Sequence, residues 1–483
     1  MSHTIKKNFF YNLLLQMSKV IFPLITAPYV ARVLDPEGIG IFNFVNTYSS
    51  YFALFAVLGI PIYGIREIAK RRDNLKDSEK FVSQIISIEI ISTIIVSVIY
   101  IASIFLIQQF NENTILFLIA GILLYITPLK IEWFFSGREE FGYITFRSLI
   151  IKTISIILLF IFVKDKDDLI NYVVLNVLAT ISNEVWNYIK LFKLGIHPYI
   201  TFSGYKEHLR PILILFASSV AISIYVMLDT LMLGFQSSYQ EVGYYNSAMH
   251  IVKALLPITT ALSAVAIPKV SVYIHSNQIN QINELINKSL GIVSLLAFPI
   301  MLGVILIAPI FVPLFFGHEF YGAILPMQIG SGVIVAIGLN NLNGVQILTG
   351  LGKDKQFLCS VLSGAITNFI LNWILIPKYG ATGAAFSSVF AEVQILFVNE
   401  YFVRKYTEIR ISQYKNVLKS VIGALLFIPI CLICKLFLNQ WSYIISCIVL
   451  CGIEYIFFQY FTRNTSFQLI YKSLINRINK IQP

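Results

Sequence analysis

The chain has 483 residues, of which 57% are apolar and only 13% charged, and it carries a formal net charge of +11. Soluble domains hold about 25% charged residues, so this composition excludes an ordinary cytosolic protein. The positive charge is dispersed between apolar stretches, which excludes a basic tail and a nucleic-acid footprint; it reads as membrane topology with attraction to anionic lipid headgroups.

Fourteen apolar segments are predicted in order: 9–33, 40–63, 81–109, 114–135, 143–163, 168–192, 209–234, 242–267, 289–316, 322–348, 356–376, 381–402, 416–437 and 441–462. Each reaches the roughly 20 residues that a helix needs to cross a ~30 Å hydrocarbon layer. The expected fold is an all-α polytopic membrane protein. Lys6-Lys7 before the first segment resemble a signal peptide, but the apolar run is too long and no small-x-small cleavage site follows. It is expected to stay as the first helix.

Charge orients the segments. Of the 36 Lys and Arg, 24 fall at the N-terminus and in the even-numbered loops, and four (Arg32, Lys164, Lys166 and Lys378) in the odd-numbered ones. Positive loops stay cytoplasmic, so both termini are expected inside a cell membrane crossed many times. The odd loops are short and turn-like, as in Asp35-Pro36-Glu37-Gly38.

Catalytic motifs are missing. Gly350-Leu-Gly-Lys353-Asp354 lacks the spacing of a phosphate loop, and Asp354 stands where a metal-binding hydroxyl belongs. The six histidines are scattered, which leaves no metal spacing. The five cysteines all lie within predicted spans; Cys431-x-x-Cys434 has a redox spacing but sits in an apolar helix. No catalytic residue, metal or cofactor is expected, leaving a channel, a secondary transporter, a facilitator or a membrane-embedded transferase. The large acidic hydrophilic loop usual in the last is absent.

The chain repeats itself. Glu37-Gly-Ile-Gly40-Ile-Phe-Asn43 at the second segment matches Glu241-Val-Gly243-Tyr-Tyr-Asn246 at the eighth, and Ser136-Gly137-Arg-Glu-Glu140 matches Thr349-Gly350-Leu-Gly-Lys353. Six segments separate the members of each pair, as in parallel repeats. The expected division is an N-lobe 1–205, a C-lobe 206–405, and 406–483 with the last two segments and a cytoplasmic tail.

Polar residues inside segments are costly in lipid and usually face protein or water. Asn12, Gln16, Lys19, Pro23 and Thr26 follow steps of 4, 3, 4 and 3, which place them on one helical stripe. Asn246, His250, Lys253, Pro257 and Thr260 repeat those steps. Both stripes are expected to face a central cavity, with Lys19 and Lys253 near mid-membrane; packing between helices with snorkelling lysines is the alternative. Arg147 and Lys152 are further cavity candidates. Glu89, Asp229 and Glu392 are candidates for ion coupling or for fixing the lobe interface. Glu184 is also intramembrane, and Lys435 and Glu454 can pair with each other. Excess Lys and Arg would favour an anionic substrate such as a phosphate or pyrophosphate.

Four motifs in order carry a family resemblance: Ala31-Arg-Val-Leu-Asp-Pro-Glu-Gly-Ile-Gly-Ile-Phe-Asn43; Gly64-Ile-Arg66-Glu67-Ile-Ala69 with its basic loop; Leu314-Phe-Phe-Gly317-His-Glu319-Phe320-Tyr-Gly-Ala323; and Leu371-Asn372 through Leu375-Ile-Pro377 and Tyr-Gly380 to Ala384-Ala. The chain resembles polysaccharide biosynthesis proteins of the Wzx type, in the multidrug/oligosaccharidyl-lipid/polysaccharide exporter superfamily. The resemblance implies two six-helix bundles around a V-shaped cavity, plus two C-terminal helices. It implies alternating access that moves undecaprenyl-pyrophosphate-linked oligosaccharide for capsule, O-antigen or another surface polymer. Coupling to H+ or Na+, and partners such as a polymerase and assembly proteins, belong to the same expectation. By analogy with lipid II flippases, the last two segments form a groove for the polyprenyl tail. The rivals are a drug or metabolite antiporter of the superfamily, a teichoic-acid precursor flippase and a non-transporting scaffold.

Overall fold

The computed structural model describes residues 2–276, 278–407 and 414–479; Arg410 and Lys480 of the basic segments lie outside them. Among the described residues the chain is helical and contains no strand. In chain order the helices are α1 (Ser2–Val57), α2 (Ile60–Arg71), α3 (Leu75–Leu106), α4 (Thr114–Tyr125), α5 (Glu132–Gly137), α6 (Phe141–Phe162), α7 (Leu169–Lys193), α8 (Tyr205–Gln236) and α9 (Tyr239–His275). There follow α10 (Ile279–Phe315), α11 (Ile324–Gly330), α12 (Gly332–Asn340), a π-helical stretch Asn341–Thr349, α13 (Asp354–Tyr406), α14 (Tyr414–Leu425), α15 (Phe427–Phe437), α16 (Gln440–Phe461) and α17 (Thr465–Asn479).

Nine helical stretches among the described residues are long and apolar enough to cross a membrane. Two of them, Phe10–Val57 and Asp354–Tyr406, each hold two of the expected segments. The first breaks at Asp35, which has φ 53°. Its Oδ1 accepts the N–H groups of Glu37 and Gly38 at 2.9 and 3.1 Å, as an aspartate does when it starts a new helix. Pro36 suits the first turn of that helix. The second breaks at Gly380, with φ 50°. There the Glu241 carboxylate accepts the Ala381 N–H at 2.6 Å and fills the space a Cβ at 380 would need.

The second expected segment also ends earlier than its apolar run. Leu58 and Gly59 have φ 51° and 77°, and the chain restarts as α2. A Cβ on Gly59 would meet the Phe216 backbone nitrogen at 2.8 Å, so close approach of α8 holds this break.

The chain forms two compact units, 1–234 and 235–483. Nearly all of α8, which holds the seventh expected segment, therefore falls in the first unit, and α14 to α16 fall in the second. The core of the first unit gathers Phe81, Trp133, Phe134 and Phe135 around α2, α3 and α5. Large apolar side chains such as Ile94, Val98, Phe105, Trp373 and Phe397 stay exposed, which suits a lipid-facing surface.

The asparagines of the first matched motif pair make the same kind of bond. Asn43 donates to the Ile39 carbonyl at 2.9 Å, and Asn246 donates to the Val242 carbonyl at 3.0 Å. Both copies thus turn the asparagine back onto its own helix.

Between α7 and α8 an extended strap lies along α3. The N–H groups of His197, Tyr199 and Thr201 donate to Glu79 Oε1, Ser83 Oγ and Ser87 Oγ at 2.8, 3.1 and 2.9 Å. Both serine hydroxyls donate to the carbonyl four residues back, which leaves lone pairs for the strap. Gln84 then donates to the Ser203 carbonyl at 2.8 Å.

Candidate functional site

The first unit gathers most of the expected cationic residues. Arg147 and Lys152 lie on α6. Lys152 donates to Ser18 Oγ at 2.9 Å and lies 5.5 Å from the Phe22 ring centroid. This fixes its ammonium against α1. Lys19 and Glu132 are the charged groups whose fields act on Lys152, in opposite senses. Lys19 is exposed, and so are Asn12 and Gln16 beside it on the stripe. Gln16 donates to Asn12 at 3.3 Å. Pro23 stands four residues after Lys19, so the Lys19 carbonyl has no helical N–H partner. Lys19 of α1 and Lys152 of α6 therefore share one neighbourhood.

Arg147 is more deeply buried than either. It is only 1% exposed, and its guanidinium donates to Asn187 Oδ1 and to Glu132 Oε2. Asn187 in turn donates to Glu184 Oε2 at 2.9 Å. The Tyr143 ring lies under the guanidinium at 5.6 Å and its hydroxyl meets Asn187 at 3.3 Å. The result is a chain, Glu132–Arg147–Asn187–Glu184, that crosses from α5 through α6 to α7. Glu89 on α3 is sealed nearby, within the fields of Lys130 and Glu184. Lys130 donates to the Leu123 carbonyl at 2.8 Å.

Just outside the spans, ion pairs close the first unit. Burial pushes Glu67 upward, but hydrogen bonds from Arg71 and Lys70, at 2.6 and 2.8 Å, win and hold its pKa at about 2. Glu140 is likewise pushed up by burial and held below its usual range by Lys190 and Arg138.

In the second unit, His250 and Lys253 are exposed on α9, close enough for their charges to interact. Pro257 again follows its lysine by four residues. Asn246 donates to the Val242 carbonyl of its own helix. Asp229, near the end of α8, is buried. Glu392 is buried and accepts from Asn340 at 2.7 Å, so it anchors a packing network of amides. Lys435 and Glu454 do not form the expected pair: Lys435 is exposed and both Glu454 carboxyl oxygens are buried without a hydrogen-bond partner. α15 and α16 meet through thiols instead, with Cys431 and Cys451 Sγ 3.8 Å apart. These two, with Cys447, Met327, Phe311 and Phe427, line an apolar cavity of about 500 Å³.

Sequence reasoning missed Glu132, Lys130 and Asn187. The available signal was Glu184-x-x-Asn187, a spacing that puts both on one face of α7. Glu132 gave none, because its partner comes from a neighbouring helix. Among the described residues, no three His, Cys, Asp or Glu side chains gather closely enough to hold a metal ion.

A family model described as polysaccharide biosynthesis protein matches residues 5–273. The chain is 27% identical over 416 residues to a putative O-antigen transporter of Escherichia coli (strain K12), covering 83% of this chain and 97% of that one. It shares the fold of the lipid II flippase MurJ in an inward closed conformation, with TM-score 0.76 and 16% identity over 97% of this chain and 100% of that chain. An inward-facing multidrug resistance MATE family transporter matches with TM-score 0.64 and 15% identity, over 82% of this chain and 97% of that one.

Proposed function

The chain belongs to the polysaccharide biosynthesis protein family, and from that premise we propose that it flips undecaprenyl-pyrophosphate-linked oligosaccharide across the cytoplasmic membrane by alternating access. It is a multi-pass membrane transporter and not an enzyme. Its cargo is a repeat unit of a capsule, O-antigen or other surface polysaccharide. Fourteen crossings put both termini in the cytoplasm, following the basic loops.

What supports this reading is that the first unit holds Lys152 beside Lys19 and a buried Arg147 paired with Glu132. A sugar head cannot cross hydrocarbon unaided, since each unpaired hydroxyl costs several kcal/mol there. Exposed Asn12 and Gln16 replace lost water, and the cations hold the diphosphate. Lys253 and His250 are cationic candidates within the second unit. The apolar cavity between α10, α15 and α16 takes part of the polyprenyl tail. Glu89 and Asp229, each buried in a span, are the groups to test for coupling to H+ or Na+. A polymerase and assembly proteins are the expected partners downstream.

The test is flipping of a labelled polyprenyl-pyrophosphate oligosaccharide in liposomes. Wild type is expected to transport, and Lys19→Ala and Lys253→Ala to fall at least severalfold while remaining folded. Transport unaffected by either variant would overturn the stripe reading. No transport of any such lipid would favour an antiporter or scaffold.

A further inference from the structure

The Arg147–Glu132 pair is lopsided. The arginine side chain is 1% exposed, whereas that of its carboxylate partner is 49% exposed. Exposure of one partner raises the local dielectric and weakens the attraction that holds the pair. Here one member is sealed and the other lies at its accessible edge. The guanidinium is also under-satisfied. It reaches Asn187 and Glu132, but its Nε is buried without a hydrogen-bond partner. Glu132 begins the short helix α5, while Arg147 is held by α6, α7 and the Tyr143 ring. The arginine is therefore held by its own long helix and by Asn187 of α7, while the glutamate stands at the start of a six-residue helix.

Resting on the flippase reading, we propose that Glu132 is an internal counter-ion that occupies the Arg147 guanidinium until the diphosphate of the substrate displaces it. Carboxylate and phosphate offer the same fork of oxygen acceptors to a guanidinium, so one can replace the other. The displaced carboxylate is already half exposed, so leaving the guanidinium uncovers little more of it. Lys152, which feels the Glu132 charge, and Lys19 beside it would meet the second phosphoryl group. Only a ligand with enough negative charge to replace a carboxylate opens the site. A neutral sugar or a zwitterionic headgroup leaves Glu132 in place. Glu132 thus sets selectivity for a diphosphate, and it keeps Arg147 from standing uncovered between cycles.

The experiment titrates inorganic pyrophosphate into the full chain in zwitterionic nanodiscs by calorimetry. Glu132→Gln keeps the shape and removes the competing charge. It is expected to tighten pyrophosphate binding on the order of tenfold, the scale of one charge-assisted hydrogen bond. The gain should vanish when Arg147→Met is added. In transport, Glu132→Gln should lower KM and slow turnover, because release becomes harder. A folded Glu132→Gln protein that binds pyrophosphate no better, or more weakly, overturns the proposal in favour of a structural pair. Should Glu132→Gln fail to fold, Glu132→Asp withdraws the charge by one methylene and must still tighten binding; no gain there is equally fatal. The two readings fail separately. Tighter pyrophosphate binding without lipid transport by wild type would sink the cargo assignment and leave the counter-ion. Transport by wild type with unchanged affinity in Glu132→Gln would do the reverse.

Discussion

The first unit buries charge where the second buries amides. Glu89, Arg147 and Glu184 lie within the first, joined by Asn187 and capped by Glu132. In the second, Asn340 donates to Glu392, Asn399 to Asn340 at 3.5 Å, Ser360 to Asn399 at 2.5 Å, and Asn372 to Asn368 at 3.1 Å. Asn43 and Asn246 make the same bond in the two units, so the difference lies in the buried networks. The second unit's network is chiefly amide and hydroxyl, with Glu392 as its carboxylate. Amides fix packing and are indifferent to the charge of a ligand. Charged networks respond to any ion that enters. Under the proposed function, the division makes the first unit the place to test anion recognition first.

The sharpest way to break this contrast is Arg147→Met. It leaves Glu184 and Asn187 buried beside an apolar chain, so a loss of about 3–5 kcal/mol in stability is expected. Flipping by the surviving folded protein should fall more than the tenfold scale of one charge-assisted contact. Thermal unfolding and liposome flipping on one preparation measure both; near-normal flipping would remove the first unit's claim to the anion. A smaller effect is expected from Asn399→Ala, which deprives Ser360 and Asn340 of a partner. About 1–3 kcal/mol of stability should be lost, with KM for the lipid unchanged. A raised KM would show that the second unit's amides touch cargo and would blur the division.

The least effect is expected at the edge of the first unit. Glu67 has its pKa lowered to about 2 from an ordinary value of 4.5. Its contribution to stability is complete above about pH 4.5 and disappears as pH falls through about 2. Glu67→Gln should therefore flatten the fall of the unfolding temperature across that interval and change little at pH 7. An unaltered acid limb would mean that other carboxylates control it.

Much of this was legible in one dimension. Apolar runs and basic loops announce a helical membrane protein, because bilayer thickness and insertion charge act on local sequence. Asp35-Pro36 reads as a turn for equally local reasons. The Lys19 stripe followed from helical periodicity alone. The chain Glu132–Arg147–Asn187–Glu184 was only half legible, since it depends on three helices becoming neighbours. Proximity across helices also misled the pairing of Lys435 with Glu454. The Cys431-x-x-Cys434 spacing drew the eye to one helix, yet the near thiol pair is Cys431 with Cys451 on the next. The break at Leu58-Gly59 was invisible because α8, distant in sequence, imposes it.

The strap between α7 and α8 works as a vernier. Four residues of α3 advance about 6.0 Å and two residues of extended chain about 6.6 Å, so every second strap N–H finds the next acceptor along the helix. Two unlike periods agree over only a few teeth, and within that stretch slippage by one residue turns every donor the wrong way. The connector is thereby metered: the slack handed to α8 begins at Tyr205 whatever α8 does afterwards. Evolution can change what the strap's side chains are far more freely than how many residues it has.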